Sequence, residues 1–599
     1  MTPGVRRTIL AAVTMGIALT IVALVLAPGA GDPLRAAGSR PDRSPESQPS
    51  AVPVVPPAPG ATISADVVVY GATPSGILAA VSAARLGASV VLATPDAQVG
   101  GMMSSGLGHA DVGRPGLIGG LTRDVFDRLA RAEGQTGVIR TFGWNYEPHV
   151  AAAVFDELLK DAHVSVYLNM GLDRTRPPEL QGDRIVDIAM TNGTRLRGMV
   201  FVDATYEGDL MAAAGVPYAI GREGQAAYGE SLAGVRVNLA TPPSTLVSGI
   251  DRAGNPLPGV DRITVVNGSS DDLVQSATFR LCVTDDPLNR LAFARPADYD
   301  PASYALVGRA IAKARDQAGA ALKLTSILSF ARLPERKFDL NSLGLYSTNL
   351  LGGASGCAAA NDAGRQVIWE QHRTWEAGLL WYLAKDPAVP AMLRRQMAPW
   401  GLCADEFRST GGWPPDLYIR EARRMVGDVV LTQRDVQTDI TKPDPIAVGT
   451  YRIDAHPVRR ILGSDGLVRE DGQLSGTTAP YQIPYAATVP PAGSVDNLLV
   501  SVTISASHVA WSSIRVEPTL MEIGEAAGVA AAVAAREGVG VRDVGYEVIR
   551  AVLLARGGIL SVPPAGAPPA IVPLRLHSVP VAGGSSTALT RSRAAGSRR

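Results

Sequence analysis

The chain has 599 residues, 46% of them hydrophobic and 19% charged, enough apolar material for a large core and more than one domain. Its 56 Lys and Arg residues balance 56 Asp and Glu residues, and the cations form no aromatic-interleaved patch, so nucleic acid is excluded as a partner. The three cysteines, Cys282, Cys357 and Cys403, stand far apart without CxxC spacing. A cysteine-ligated iron–sulfur cluster of the usual Cys-rich form and a CxxC dithiol are thereby excluded, and buried inert thiols are expected ahead of a disulfide between two of them.

In chain order, Arg6 and Arg7 precede an apolar run from Thr8 to Ala27, long enough for a secretory signal or a membrane span. Residues 1–30 are therefore expected to be a signal peptide or a membrane anchor with the body of the protein outside the cytoplasm, and no clean small-x-small cleavage site follows Ala27. The Arg6-Arg7 pair also resembles a twin-arginine signal, a route that carries proteins already folded around a cofactor; positive-inside orientation is the simpler reading. Residues 31–62, rich in Pro, Ser and Ala, read as a solvated linker.

From Ala65 the stretch ADVVVYGATPSGILAAVSAARLGASVVLAT predicts a strand, a Gly-rich turn, a helix of small residues and a second strand. Gly71 marks the sharp turn and Gly76 the close packing of helix on strand, while the helix N-terminus offers backbone N–H groups and partial positive charge to a pyrophosphate. Gly71, Thr73, Pro74, Ser75 and Gly76 are the candidate cofactor residues here. Two positions depart from the GxGxxG pattern: Thr73 replaces the middle glycine, and Thr94 stands where the second strand should end in an acid that binds a ribose hydroxyl. Gly100, Gly101 and Met102 then open the segment GGMMSSGLG, whose glycines let backbone approach a large flat ligand.

Further along, Val200-Phe201-Val202-Asp203-Ala204-Thr205 reads as a strand ending in a polar loop, and Gln366 to Ala384 as a helix. Arg420, Glu421, Arg423 and Arg424 are expected on a helix, where Arg420 and Arg424 share a face that is either solvated or a carboxylate clamp. Tyr481 and Tyr485 flank a proline-bounded strand. Asp339 and Asn341 receive no role. Asn497 to Val500 is a returning strand, and Glu517 to Ala535 a helix with Pro518 at its first position. Metal-ligand spacings, a GxSxG elbow and a P-loop lysine are missing, and Gly538, Gly540 and Gly545, the other glycine group, follow no strand.

The order of GATPSG, GGMMSSGLG, VFVDATYEGDLMAAAGV from Val200, LYIREARRMVGDVVLTQRD from Leu417, PYQIPY from Pro480 and SASHVAWSSIRVEPTLMEIGEAAGVAAA from Ser505 resembles the bacterial FAD-dependent oxidoreductase family related to the flavoproteins of heterodisulfide reductase. The likeness runs from about Ile63 to Glu537. It implies FAD as cofactor and an α/β fold, a three-layer Rossmann-like FAD-binding domain with an inserted substrate or cap domain. The expected parts are 63–221 and 443–556 for the FAD-binding domain, 222–442 for the cap, and 557–599 for a largely disordered tail. The resemblance also places Asp203, Ala204 and Thr205 beside the dinucleotide; the slot of Thr73 is often Thr in this family, whereas that of Thr94 is usually Glu.

A flavin that accepts a hydride gathers negative charge at its N1 and C2 carbonyl edge, which the helix beginning near Glu517 and Pro518 is placed to stabilise. Arg515 on its approach serves the flavin, an anionic substrate, or a salt bridge with Glu517 or another acid. His508 and His456 are the candidate proton acceptors, with His508 favoured because its segment leads into that helix, a placement similar to the substrate-side histidine of fumarate reductase-type flavoproteins. The expected protein is thus an extracytoplasmic FAD-dependent oxidoreductase that oxidises a small polar molecule, a sugar or hydroxy acid, by hydride transfer and passes electrons to an unidentified acceptor. The alternatives are an NAD(P)-dependent dehydrogenase and a non-catalytic cell-envelope binding protein that keeps the flavoprotein fold.

Overall fold

The protein is represented by a computed structural model that describes residues 58, 60–134, 144–238, 246–319, 322–342 and 348–562. The Thr8–Ala27 run, nearly all of the linker and the chain beyond residue 562 lie outside the described residues. Among the described residues no helix is long and apolar enough to cross a membrane.

Val67, Val68 and Val69 are fully buried in β1 (Thr62–Tyr70), the β-branched run that a strand covered on both faces requires. β1 pairs in parallel with β2 (Val90–Ala93) on one side and β6 (Arg195–Asp203) on the other, with Val67 opposite both Val90 and Val200. The helix α1 (Pro74–Ala84) makes the crossover between β1 and β2. β3 (Ser165–Tyr167) extends the sheet beyond β2. The other edge of β6 is shared: β5 (Arg184–Ala189), itself paired with β4 (Glu179–Gln181), runs antiparallel to its first half, and the strand Leu498–Val500 runs parallel to its second half, Leu499 opposite Val202. A segment from the far end of the chain thus completes the seven-stranded sheet, as the returning strand at Asn497 to Val500 predicts.

After that strand the helix Glu517–Glu537 lies against α1 at backbone contact. A Cβ on Gly528 would sit 2.1 Å from the Ala79 carbonyl oxygen, and one on Gly524 2.1 Å from that of Ser75, which explains why both helices are built from small residues at their crossing.

A second, antiparallel sheet of five strands is made from residues between 281 and 403, in the order Ser329–Arg332, Lys337–Asn341, Leu281–Thr284, Gly401–Cys403, Arg290–Leu291. It has its own core, with Phe279, Leu340, Leu379 and Trp413 among its members. Cys282 and Cys403 lie on adjacent strands of this sheet and form a disulfide. The expectation of inert thiols is therefore overturned for these two: strand pairing brings together residues separated by 121 positions. It holds for Cys357, whose buried thiol is pushed up to about 12 by burial first of all.

Two local expectations are corrected. Arg423–Met425 is a short strand paired with Tyr218–Ile220, not part of a helix, because that partner strand and the Thr503 carbonyl, which accepts from the Met425 N–H, take up its backbone groups. The glycine-dense segment is not wholly a loop, since Gly101–Ser104 forms one helical turn.

Candidate functional site

The turn between β1 and α1 is formed by backbone at contact distance. Gly71 has φ of 105°, and a Cβ there would stand 2.7 Å from the carbonyl carbon of Ala204; a Cβ on Gly76 would stand 2.0 Å from the Gly71 carbonyl oxygen. No larger residue fits either place. Thr73 is the N-cap of α1, accepting from the Gly76 N–H at 3.2 Å and donating to the Ala204 carbonyl at 2.8 Å. Its side chain is spent on the protein, so Thr73 tightens the turn in the slot of the middle glycine. Pro74 lies in the first turn, where a missing N–H costs nothing, and the Ser75 hydroxyl donates to Ser501 at the end of the returning strand. Asp203 accepts from the N–H and hydroxyl of Thr205 and from the Met211 N–H, and Thr205 in turn caps Gly208 and Asp209. These two side chains shape the polar loop after β6 and hold Ala204 against the Gly71 turn. Burial above all raises the Asp203 carboxyl to about 6.

Thr94 ends β2 without a charge of its own, but its hydroxyl donates to Asp96 Oδ2 at 2.6 Å. Asp96, two residues on and half-buried, thus supplies a carboxylate beside the strand end. Sequence reasoning passes over it because the expected acid is sought at the strand terminus itself.

Gly100, Gly101 and Met102 are pinned to the closing helix through one tyrosine. Tyr206 accepts from the Met102 N–H at 3.0 Å and donates to Glu517 Oε1 at 2.6 Å. Met102, Leu107, Tyr206 and Tyr418 pack together as an apolar cluster. Glu517 Oε2 has no partner among the described residues, and burial pushes this carboxyl up to about 7. The site fits FAD on these grounds: a cradle that a Cβ would fill, a helix N-terminus for a pyrophosphate, a carboxylate near the strand end suited to a ribose, and a flat apolar cluster next to an unpartnered polar atom.

His508 begins the short helix His508–Ile514 and is 1% exposed. Its Nδ1 stands 2.9 and 3.0 Å from the two oxygens of Glu421, while Nε2 is buried without a partner among the described residues. The carboxylate assigns the proton to Nδ1 and leaves the Nε2 lone pair free. Burial would raise the Glu421 carboxyl, but His508 and Arg424 outweigh it and hold the group below its usual value. Arg424, fully buried, binds Glu421, Glu223 at 2.5 Å and two carbonyls. It is saturated, so it is neither a solvated residue nor half of a clamp with Arg420.

His456 has more cationic surroundings, with the Asp454 carboxylate 4.0 Å from its Nε2. Its Nδ1 is 3.3 Å from the Asn349 amide nitrogen and its N–H donates to Gln275. Burial, then Arg420, Arg515 and Arg280, drive its pKa well below the usual imidazole value. Arg515 pairs with Asp454 rather than Glu517, donating to that residue's carbonyl at 2.8 Å and carboxylate at 3.3 Å, and reaches the Tyr418 hydroxyl at 3.3 Å. Asp339, without a role on sequence grounds, pairs with Arg280 at 2.6 Å and accepts from the His109 N–H. The Gln275 N–H also lies 3.4 Å from Glu421, joining the two histidines through one residue. No sequence signal marks Arg280, Gln275 or Asn349, which come from distant segments and meet only in the fold, and Tyr418 lies in the stretch from Leu417 without a signal of its own role.

Residues 66–553 match the family described as FAD dependent oxidoreductase. No curated protein matches. Among solved structures, the Diels-Alderase PyrE3 of pyrroindomycin biosynthesis is 15% identical over 26% of this chain and 36% of its own, with a TM-score of 0.21. OxyS anhydrotetracycline hydroxylase from Streptomyces rimosus is 12% identical over 27% of this chain and 36% of its own, with a TM-score of 0.22. L-amino acid deaminase from Proteus vulgaris is 18% identical over 28% of this chain and 55% of its own, with a TM-score of 0.21. The chain therefore spans between about a third and about half of the length of these structures.

Proposed function

Since the chain belongs to the FAD dependent oxidoreductase family and its cofactor is FAD, we propose that it oxidises a small polar substrate carrying a hydroxyl-bearing carbon, outside the cytoplasm. The observation that carries this reading is His508, buried, held at Nδ1 by Glu421 and free at Nε2. The Gly71–Gly76 cradle would hold FAD, which would supply the two-electron acceptor for a hydride. His508 Nε2 takes the hydroxyl proton, so the carbon–oxygen bond becomes a carbonyl and the pair of electrons leaves with the hydride. Glu421 offsets the positive charge that His508 gains. His456 is less suited to that task, because a proton on it would join the guanidinium groups of Arg420, Arg515, Arg280 and Arg452, against the Asp454 carboxylate 4.0 Å from its Nε2.

The Tyr206–Glu517 contact ties the Gly100–Met102 segment to the helix that closes the site. An extracytoplasmic place is supported by the Cys282–Cys403 disulfide, a bond that persists in oxidising compartments, and by the apolar run before the linker. The substrate is a small molecule and the electron acceptor a separate partner; the membrane is a partner wherever the Thr8–Ala27 segment is retained. The test is the purified protein itself: it should carry a yellow flavin released by denaturation in about one equivalent, and Gly71→Val, whose Cβ would displace the Ala204 backbone, should remove it, with circular dichroism reporting whether the fold is kept. Retention of full flavin by Gly71→Val would place the phosphates elsewhere.

A further inference from the structure

Arg420 is 2% exposed and has no acidic partner among the described residues. Its Nη1 donates to the Ser276 carbonyl and to Asn349 Oδ1 at 3.1 Å, and its guanidinium carbon stands 4.9 Å from the centre of the Tyr418 ring. Nε and Nη2 have no partner among the described residues. These two nitrogens share one edge of the guanidinium, the edge whose parallel N–H groups match the two oxygens of a carboxylate.

The neighbouring guanidinium groups, unlike that of Arg420, have ion-pair partners. Arg280 is neutralised by Asp339 and Arg515 by Asp454, and both reach the same Tyr418, Arg280 over its ring at 6.0 Å and Arg515 at its hydroxyl. Arg420 adds a third guanidinium that forms no ion pair among the described residues, although the carboxyls of Asp454 and the buried Glu376 lie within electrostatic reach, and His456 beside it is kept neutral. Burial, opposed by Tyr418 and reinforced by Arg515 and Arg280, lowers the Arg420 pKa to about 9. A buried unpaired cation with two idle donors is costly unless something outside the chain completes it. Arg515 Nε is a further buried donor without a partner among the described residues.

The location points to substrate. Arg420 precedes Glu421, which orients His508, and its carbonyl accepts from Trp511 Nε1 at 2.9 Å, on the same short helix as His508. Tyr418, under the guanidinium, packs with Met102, Leu107 and Tyr206 of the cofactor side. We propose that the substrate is an organic carboxylate, gripped in two parallel hydrogen bonds by the Nε–Nη2 edge of Arg420. Arg515 Nε is the neighbouring donor. This rests on the reading of His508 as the proton acceptor of a flavin-linked oxidation, and narrows the small polar substrate to an acid, so that a hydroxy acid is favoured over a neutral sugar.

The experiment titrates purified FAD-loaded protein with lactate, malate and malonate, and in parallel with lactamide, glycerol and inorganic phosphate, reading perturbation of the flavin absorbance and heat of binding. At least one carboxylate should bind, and the amide, glycerol and phosphate should not. Arg420→Gln should weaken that carboxylate about 10- to 100-fold with flavin content unchanged. Arg420→Lys, which keeps the charge but not the fork, should lie between the two. Equal binding of lactamide or glycerol, or of phosphate alone, overturns the proposal, and the wild-type panel decides this even where a variant fails to fold. Loss of FAD from Arg420→Gln would also overturn it, by assigning the guanidinium to the cofactor. If the purified wild-type chain holds no flavin, the oxidoreductase reading fails, while calorimetry on the same flavin-free chain still decides whether a carboxylate binds.

Discussion

At the scale of single residues, the two histidines are separated by their counter-charges. His508 faces a carboxylate that is itself fixed by Arg424 and by the Gln275 N–H. A proton arriving at Nε2 there meets compensating charge. His456 faces guanidinium groups that, with burial, outweigh the Asp454 carboxylate 4.0 Å from its Nε2, so the same proton would be repelled. The expected outcome is that His508→Ala slows reduction of the flavin by substrate about 10²- to 10⁴-fold, the usual worth of a general base, with FAD still bound. Glu421→Gln should fall between that variant and the parent, because an amide can hold the Nδ1 proton but cannot offset the imidazolium. His456→Ala should reduce at close to the parental rate. Stopped-flow measurement of the reductive half-reaction separates these cases, and a slow His456→Ala beside a fast His508→Ala would transfer the role to His456.

At the scale of elements, the contact between α1 and the helix Glu517–Glu537 joins the start of the FAD-binding fold to its end. A valine at Gly528 would have to place its Cβ 2.1 Å from a backbone carbonyl oxygen, and neither helix can yield without moving the Gly71 turn. Gly528→Val should therefore destabilise by more than the ~1 to 3 kcal/mol typical of an overpacked core, and should lower FAD content in parallel; denaturant midpoints and flavin stoichiometry measure the two effects. Unchanged values for both would mean that the helices do not meet in this register. The same elements show why part of the molecule can be read from the chain. The Gly71 turn, the Val200–Asp203 strand, the return at Leu498–Val500 and the closing helix are each specified by neighbours in sequence: apolar runs, capping residues and glycines at fixed offsets. Arg423–Met425 reads as helix yet forms a strand because its partner, Tyr218–Ile220, lies some two hundred residues earlier, and local propensity holds no trace of such a partner. Asp96 and Arg280 escape sequence reasoning on the same ground, since a carboxylate or guanidinium becomes informative only when the residues that surround it are known.

At the scale of the whole molecule, the seven-stranded sheet is fed from both ends of the described chain, while the five-stranded sheet is built from residues between them. The disulfide belongs to the second sheet and closes a loop that includes the helices Ala305–Ala318 and Asp362–Lys385. Between its cysteines runs Asp339, the partner of Arg280, which places the cation group around Tyr418 partly on the cross-linked sheet. Joining residues separated by 121 positions removes much of the freedom of the unfolded chain, and loss of a native disulfide of this kind costs roughly 2 to 5 kcal/mol. The double variant Cys282→Ala, Cys403→Ala should accordingly unfold at lower denaturant than the parent, and reductant should shift the parent toward the variant without shifting the variant. Thiol titration of the unfolded, unreduced protein should find the single thiol of Cys357. Three titratable thiols in protein made in an oxidising compartment, together with a midpoint indifferent to reductant, would show that Cys282 and Cys403 stay reduced, and would withdraw the main structural support for a place outside the cytoplasm.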